Sequence, residues 1–204
     1  MEITRELAKF NNIKFHDKEH KYYMDDTKMS SVTQLIGKYK QPFDSDYWSE
    51  KKANEGGILK EEILKEWKYK ADFSTQKGSA FHAFAENYLF NKVFPFPEEE
   101  MTEVLGSTEN MLECRAAVKK IIELFKKFYD DSYGKLIPVR AEVVVGDKEL
   151  GLCGMIDQLF WNEKSGKLEI WDWKTNKKID DKNKWQQFKD PIGHLDVCEL
   201  NTYS

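Results

Sequence analysis

Residues 152–157, Leu152-Cys153-Gly154-Met155-Ile156-Asp157, and residues 168–175, Leu168-Glu169-Ile170-Trp171-Asp172-Trp173-Lys174-Thr175, decide how this chain reads. Both are short apolar runs, and the turn-forming residues 162–166 lie between them, so they predict two strands of a hairpin. Each carries an aspartate where its apolar run ends. An ionised carboxylate in such surroundings costs several kcal/mol unless something compensates it. A divalent cation compensates two carboxylates at once, and hard oxygen ligands suit magnesium or manganese. Lys174 follows Asp172 by two residues, and in a strand such residues point to one face. Asp157, Asp172 and Lys174 then form a trio able to bind a metal, orient water and offset charge on a phosphate. The plain alternative is an exposed hairpin with a salt bridge.

Working outward, β-branched residues 139–145 predict a strand before this pair, with a turn at 146–148 and Glu142 within it. Glu142 reads either as a site acid or as an exposed alternate position. Before that lie helical patterns. Residues 110–129 carry Met111, Leu112, Val118, Ile121, Ile122, Phe125 and Phe128 at helical spacing, and residues 74–91 carry Phe81, Phe84, Ala85, Tyr88 and Leu89. Residues 45–70 predict one or two amphipathic helices broken near Gly56 and Gly57. At the N-terminus, residues 13–15 and 21–24 read as two strands, a turn follows at 25–28, and Ser30 or Ser31 caps a helix that Pro42 ends. Helices leading into a three-stranded antiparallel unit predict a mixed α/β fold.

The chain has 204 residues, enough for one sizeable domain, and 40% hydrophobic with 14% aromatic residues excludes global disorder. A net charge of −4 gives no whole-molecule basic field, which argues against simple coating of DNA. Cys114, Cys153 and Cys198 are scattered, with no CxxC pair. They predict reduced thiols, no disulfide framework and no zinc or iron–sulfur site. No segment has the length of an apolar membrane span or the pattern of a signal peptide, so the expected compartment is the cytoplasm and no membrane partner is expected. The lysines at 174, 177, 178, 182, 184 and 189 are mixed with Asp180, Asp181 and Asp190, which is the pattern of a solvated face or of a phosphate contact.

Gly154–Asp157 and Ile170–Thr175 resemble the second and third motifs of the RecB-like branch of the PD-(D/E)XK nucleases. Gly78-Ser79-Ala80-Phe81-His82-Ala83-Phe84-Ala85-Glu86 resembles that branch's helical G-x-x-x-H-x-x-x-E motif, and Glu142 resembles the acid on its first core strand. The order and spacing match over about 75–176, and the SVTQLIGKY stretch with the aromatic residues 42–48 resembles the leader of phage-type members. His82 alone, between Phe81 and Phe84, reads as a core histidine; the motif order makes it a ligand. The resemblance implies a restriction-endonuclease-like core with a central mixed sheet in residues 71–204, and an N-terminal hairpin-and-helix leader in residues 1–70. It implies a Mg2+ or Mn2+ ion on His82, Asp157, Asp172 and the Trp173 backbone carbonyl. Asp157, Asp172, Glu142 and Lys174 are then the catalytic set, and Glu86 and Thr175 support the ligands from behind. An imidazole ligand tilts the preference toward manganese.

The implied activity is that of a DNA nuclease, an exonuclease on single strands or duplex ends in phage-type processing or recombination. The same resemblance expects a helix with a Q-x-x-x-Y motif after Thr175. Gln186 and Gln187 do not supply it, since Asp190 and Pro191 follow them. The core is therefore expected to lack that helix, a partner chain is a candidate to supply it, and a nuclease-fold module that binds without cutting is the alternative function.

Overall fold

Alternation builds the first strands of the protein. The computed structural model describes residues 5, 7–16, 19, 21–91, 96, 105–132, 135–176, 188–193 and 195. The described residues divide into two units: one from 5–41, 137–172 and 188–195, the other from 42–136 and 173–176.

In the first unit β1 (Ile13–His16), β2 (Lys21–Met24) and β3 (Thr27–Ser31) form an antiparallel meander. Tyr22 and Met24 point inward at period two and pack with Ile13, Met29 and Cys153. The expected turn at 25–28 is shorter than its sequence suggests. Asp25 and Asp26 both take positive φ, 47° and 64°, and Met24 pairs with Thr27. This two-residue turn is of the kind that matches strand twist and tolerates aspartate, so the strand resumes at once and the sequence reading misses β3.

The later strands β4 (Leu136–Asp147), β5 (Leu152–Asn162) and β6 (Lys167–Trp171) join the same sheet, in the order β1-β2-β3-β5-β4 with β6 paired to β5. β3 and β5 run parallel, through Ser30 opposite Leu152 and Ser31 opposite Cys153. The fold is thus mixed α/β with a six-stranded mixed sheet, as the sequence predicts at that level. The β4–β5 turn is held by Asp147 Oδ1, which accepts from the N–H groups of Glu149 and Leu150. The β5–β6 turn is held in the same way by Asn162 Oδ1, with Gly166 at φ 64°. Both are Asx turns. α1 (Val32–Tyr39) opens on a capping box: Ser31 Oγ accepts from Gln34 N–H at 3.0 Å, and Ser31 N–H donates to Gln34 Oε1 at 3.2 Å.

The second unit is helical. α2 (Ser45–Gly56) starts on the Asp44 cap and stops at Gly57, whose φ of 63° ends a helix at little steric cost. α3 (Lys60–Asn91) then runs unbroken for 32 residues. The separate helices expected at 45–70 and 74–91 are therefore differently cut: the break falls at 57–59, and Ser74 is helix interior. Residues 70–74 contain neither glycine nor proline, so nothing stops the helix there. The 70/71 boundary expected from the sequence lies inside α3. α4 (Thr108–Ser132) packs on α3, with Val118, Ile122, Phe125 and Tyr129 buried against a face carrying Phe81, Phe84, Ala85 and Leu89. Edge-to-face ring pairs such as Phe81–Phe125 (5.6 Å) and Tyr88–Phe125 (5.7 Å) add specificity to that contact.

Among the described residues no helix is long and apolar enough to cross a membrane. Cys114 and Cys153 are buried free thiols. The basic stretch 177–184, Trp185, Gln186, Gln187, His20, His194 and Cys198 lie outside the described residues, as does most of the acidic stretch expected at 98–107.

Candidate metal centre

β4 and β5 bring two acids together within the first unit. A carboxylate oxygen of Glu142, on β4, and one of Asp157, on β5, lie within 4.8 Å of each other. Both side chains are half-buried. Like charges at that distance repel unless a cation or a proton intervenes. Glu142 also sits at a φ of 47°, where a non-glycine residue is uncommon and costs of order 1–3 kcal/mol.

Asp172 follows from the register of β5 and β6. The strands pair antiparallel from Asn162 opposite Lys167 to Gln158 opposite Trp171. Asp157 immediately precedes the last paired residue of β5, and Asp172 immediately follows the last paired residue of β6. The hairpin thus explains in backbone terms why two acids fifteen residues apart belong to one end of the strand pair. β6 itself stops at Trp171, two residues earlier than the sequence predicts, and residues 172–176 are irregular. The strand alternation invoked for Asp172 and Lys174 therefore has no strand to act in. Asp172 and Lys174 are both half-buried, and both are engaged in further interactions.

At residue 173 the chain passes into the second unit, and α3 receives it. Lys77 Nζ donates to the Thr175 carbonyl oxygen at 2.9 Å. His82 Nε2 lies 3.1 Å from the Trp173 carbonyl oxygen. Gly78 lies beside this approach, and a Cβ there would meet Thr175 Oγ1 at 3.9 Å, an ordinary contact. The Trp173 indole is wedged edge-on against Phe81 (6.3 Å), Phe125 (5.3 Å) and Phe128 (6.3 Å). That packing fixes where its carbonyl points.

Two roles are open to the His82–Trp173 contact. With a proton on Nε2 the imidazole donates to the carbonyl. With Nε2 unprotonated, both atoms present lone pairs, and their separation is that of two neighbouring ligands. Adjacent ligands on an octahedral ion at about 2.1 Å stand about 3.0 Å apart. Imidazole nitrogen, backbone carbonyl and carboxylate oxygens together suit a divalent ion such as Mn2+ or Mg2+.

Of the supporting residues expected from the sequence, Glu86 is exposed on α3, and Thr175 is held through its own carbonyl. Trp171 packs on Phe160 at 5.6 Å and donates from Nε1 to Glu169 Oε2 at 2.9 Å. Sequence reasoning missed Lys77. Its only local signal is a place beside Gly78, at the start of the histidine motif.

No protein-family model, curated protein or solved structure matches this chain.

Proposed function

We propose that the chain is a divalent-metal-dependent deoxyribonuclease with a restriction-endonuclease-like core of the PD-(D/E)XK type, working as an exonuclease on single strands or duplex ends. The observation that carries the reading is the meeting of Glu142 and Asp157 within 4.8 Å, with Asp172 one residue past the end of β6. Two half-buried acids that close are costly without a cation, and cheap with one.

His82, Asp157, Asp172 and the Trp173 carbonyl would hold the ion, with Glu142 beside them. A bound ion of this kind supplies Lewis acidity to a phosphoryl oxygen and lowers the pKa of water. Lys174 orients the attacking water and offsets the negative charge that grows on the phosphoryl oxygens. The water oxygen forms a bond to phosphorus as one of its protons passes to solvent, the P–O bond to the leaving strand breaks, and the leaving oxygen takes a proton from solvent. Lys77 supports this by fixing the backbone on the far side of Lys174.

The purified protein should degrade a labelled oligonucleotide with manganese and not with chelator. Lys174→Ala should lower the rate by about 10²–10⁴-fold, the usual share of a residue of this kind. Equal rates in the variant and the parent would remove Lys174 from the mechanism, and no cleavage with any divalent ion would remove the nuclease reading.

A further inference from the structure

The first unit holds a cavity of about 180 Å³ lined by Phe10, Asn11, Ile13, Arg140, Glu142 and Val144. A space of that size admits a phosphoryl group with several waters. Arg140 and Glu142 are two residues apart on β4 and both line it. Among the described residues no ion pair or hydrogen bond occupies the Arg140 guanidinium or the Asn11 amide. A second cation stands close by, since Lys9 Nζ lies 5.2 Å from the centre of the Phe10 ring.

Phe10, Ile13 and Val144 are its apolar lining, and Phe10 and Val144 pack on the buried cluster of the sheet. Arg140 and Asn11 are both exposed at this site, open to an anion arriving from solvent. The planar fork of arginine matches two oxygens of a phosphoryl group, and the Asn11 amide offers a further donor. One wall, Glu142, has the wrong sign for an anion. It belongs to the acid pair with Asp157, so its repulsion falls whenever a cation or a proton sits on that pair.

We propose that this cavity is a phosphoryl-binding subsite in which Arg140 grips a phosphate of the nucleic-acid strand next to the acid pair. It rests on the nuclease reading for the identity of the strand. The ligand chemistry is a tetrahedral phosphoryl oxyanion, which a strand offers either as a terminal monoester or as an internal diester.

The test is fluorescence anisotropy with 3′-labelled oligonucleotides of one sequence, carrying either a 5′-phosphate or a 5′-hydroxyl, in chelator so that nothing is cleaved. Arg140→Ala should weaken binding about tenfold or more, the worth of a charge-assisted hydrogen bond. Arg140→Lys should recover part of it. Glu142→Gln should tighten binding in chelator, because it removes the repulsive wall; a merely structural role for this strand would not produce opposite signs at residues 140 and 142. A loss confined to the 5′-phosphorylated probe identifies the monoester, and an equal loss on both probes identifies the diester. Unchanged binding in Arg140→Ala overturns the proposal, as does an equal loss in the exposed control Lys164→Ala. Binding that depends on Arg140 without any cleavage under manganese would keep the subsite and remove the nuclease. Cleavage with normal binding in Arg140→Ala would do the reverse.

Discussion

His82 Nε2 faces the carbonyl oxygen of Trp173 at 3.1 Å, while the Trp173 indole is held edge-on by Phe81, Phe125 and Phe128. One residue is thus asked for two things: its ring packs the helical unit, and its backbone presents an oxygen to the histidine. These separate by mutation. Trp173→Phe keeps the carbonyl and most of the edge contacts, and should retain manganese affinity measured by titration calorimetry. Trp173→Ala removes three aromatic contacts and should lower unfolding stability by about 2–4 kcal/mol. His82→Ala should leave stability nearly unchanged and weaken manganese binding by about tenfold or more. If His82→Ala binds manganese as the parent does, the histidine is a packing residue of α3 and nothing more.

Glu142 is held at a φ of 47°. Replacing it by alanine and by glycine removes the carboxylate in both cases, and only glycine is free of the left-handed steric cost. That cost is about 1–2 kcal/mol, against about 0.5–1 kcal/mol lost to the flexibility of glycine in the unfolded chain. Glu142→Gly should therefore be more stable than Glu142→Ala by about 0.5–1 kcal/mol in urea denaturation. Neither variant should match the parent in manganese-dependent cleavage. Equal stability of the two would mean that the strand relaxes once the acid is gone, which would itself locate the source of the strain in the side chain.

Gly146 sits where β4 crosses closest to its neighbours. A Cβ there would stand 2.9 Å from Ile13 Cδ1, 3.0 Å from the Leu152 carbonyl oxygen and 3.3 Å from Cys153 Cβ. Gly146→Ala should cost about 1–3 kcal/mol through overpacking. Ile13→Val removes the closest methyl and should restore part of this in the double variant, with the remainder set by the Leu152 carbonyl, which belongs to the backbone. Full additivity of the two single effects would show that the alanine is accommodated elsewhere.

The parts legible in the sequence are those whose partners are close along the chain. The hairpin of β5 and β6 follows from two apolar runs and a turn with Asn162 and Gly166, and it alone puts Asp157 and Asp172 at one end of a strand pair. The α3–α4 packing follows from helical spacing of aromatic residues. What escapes has distant or backbone partners. β3 is short and polar (Thr27-Lys28-Met29-Ser30-Ser31), and its place in the sheet depends on Leu152 and Cys153, over 100 residues away. Lys77 looks like any helix-face lysine until the Thr175 carbonyl arrives from 98 residues along the chain. Arg140 has no motif around it, because its cavity is closed by residues 10–13, which only the sheet brings near. The end of β6 at Trp171 is also not written locally: nothing in Asp172-Trp173-Lys174 forbids a strand, and the packing of Trp173 among Phe81, Phe125 and Phe128 draws the chain away.

Three buried groups set how the protein meets alkaline conditions. Burial pushes the Cys114 and Cys153 thiols above their ordinary range and does the same to the Tyr22 phenol, which also feels the negative charges of Cys153 and Glu142 when these ionise. The unfolded chain releases these protons at ordinary values, about 8.5 for a thiol and about 10 for tyrosine, whereas the folded chain holds them to higher pH. Above about pH 8.5 the unfolded state therefore binds fewer protons than the folded state, and stability falls as pH rises. The contribution is complete below that range and is lost through the thiol region first and the phenol region after it. Urea denaturation at about pH 7 and about pH 9.5 should show a lower midpoint at the higher pH, and the difference should shrink in Cys153→Ala, which removes one thiol and one of the charges acting on Tyr22. Cys114 and Cys153 in the native protein should also resist a thiol-specific reagent at neutral pH and react on unfolding, with peptide mapping to score them apart from Cys198, since both are buried. A pH dependence of the opposite sign, or rapid labelling of Cys114 or Cys153 in the native protein, would mean that these cysteines open to solvent far more often than their burial implies.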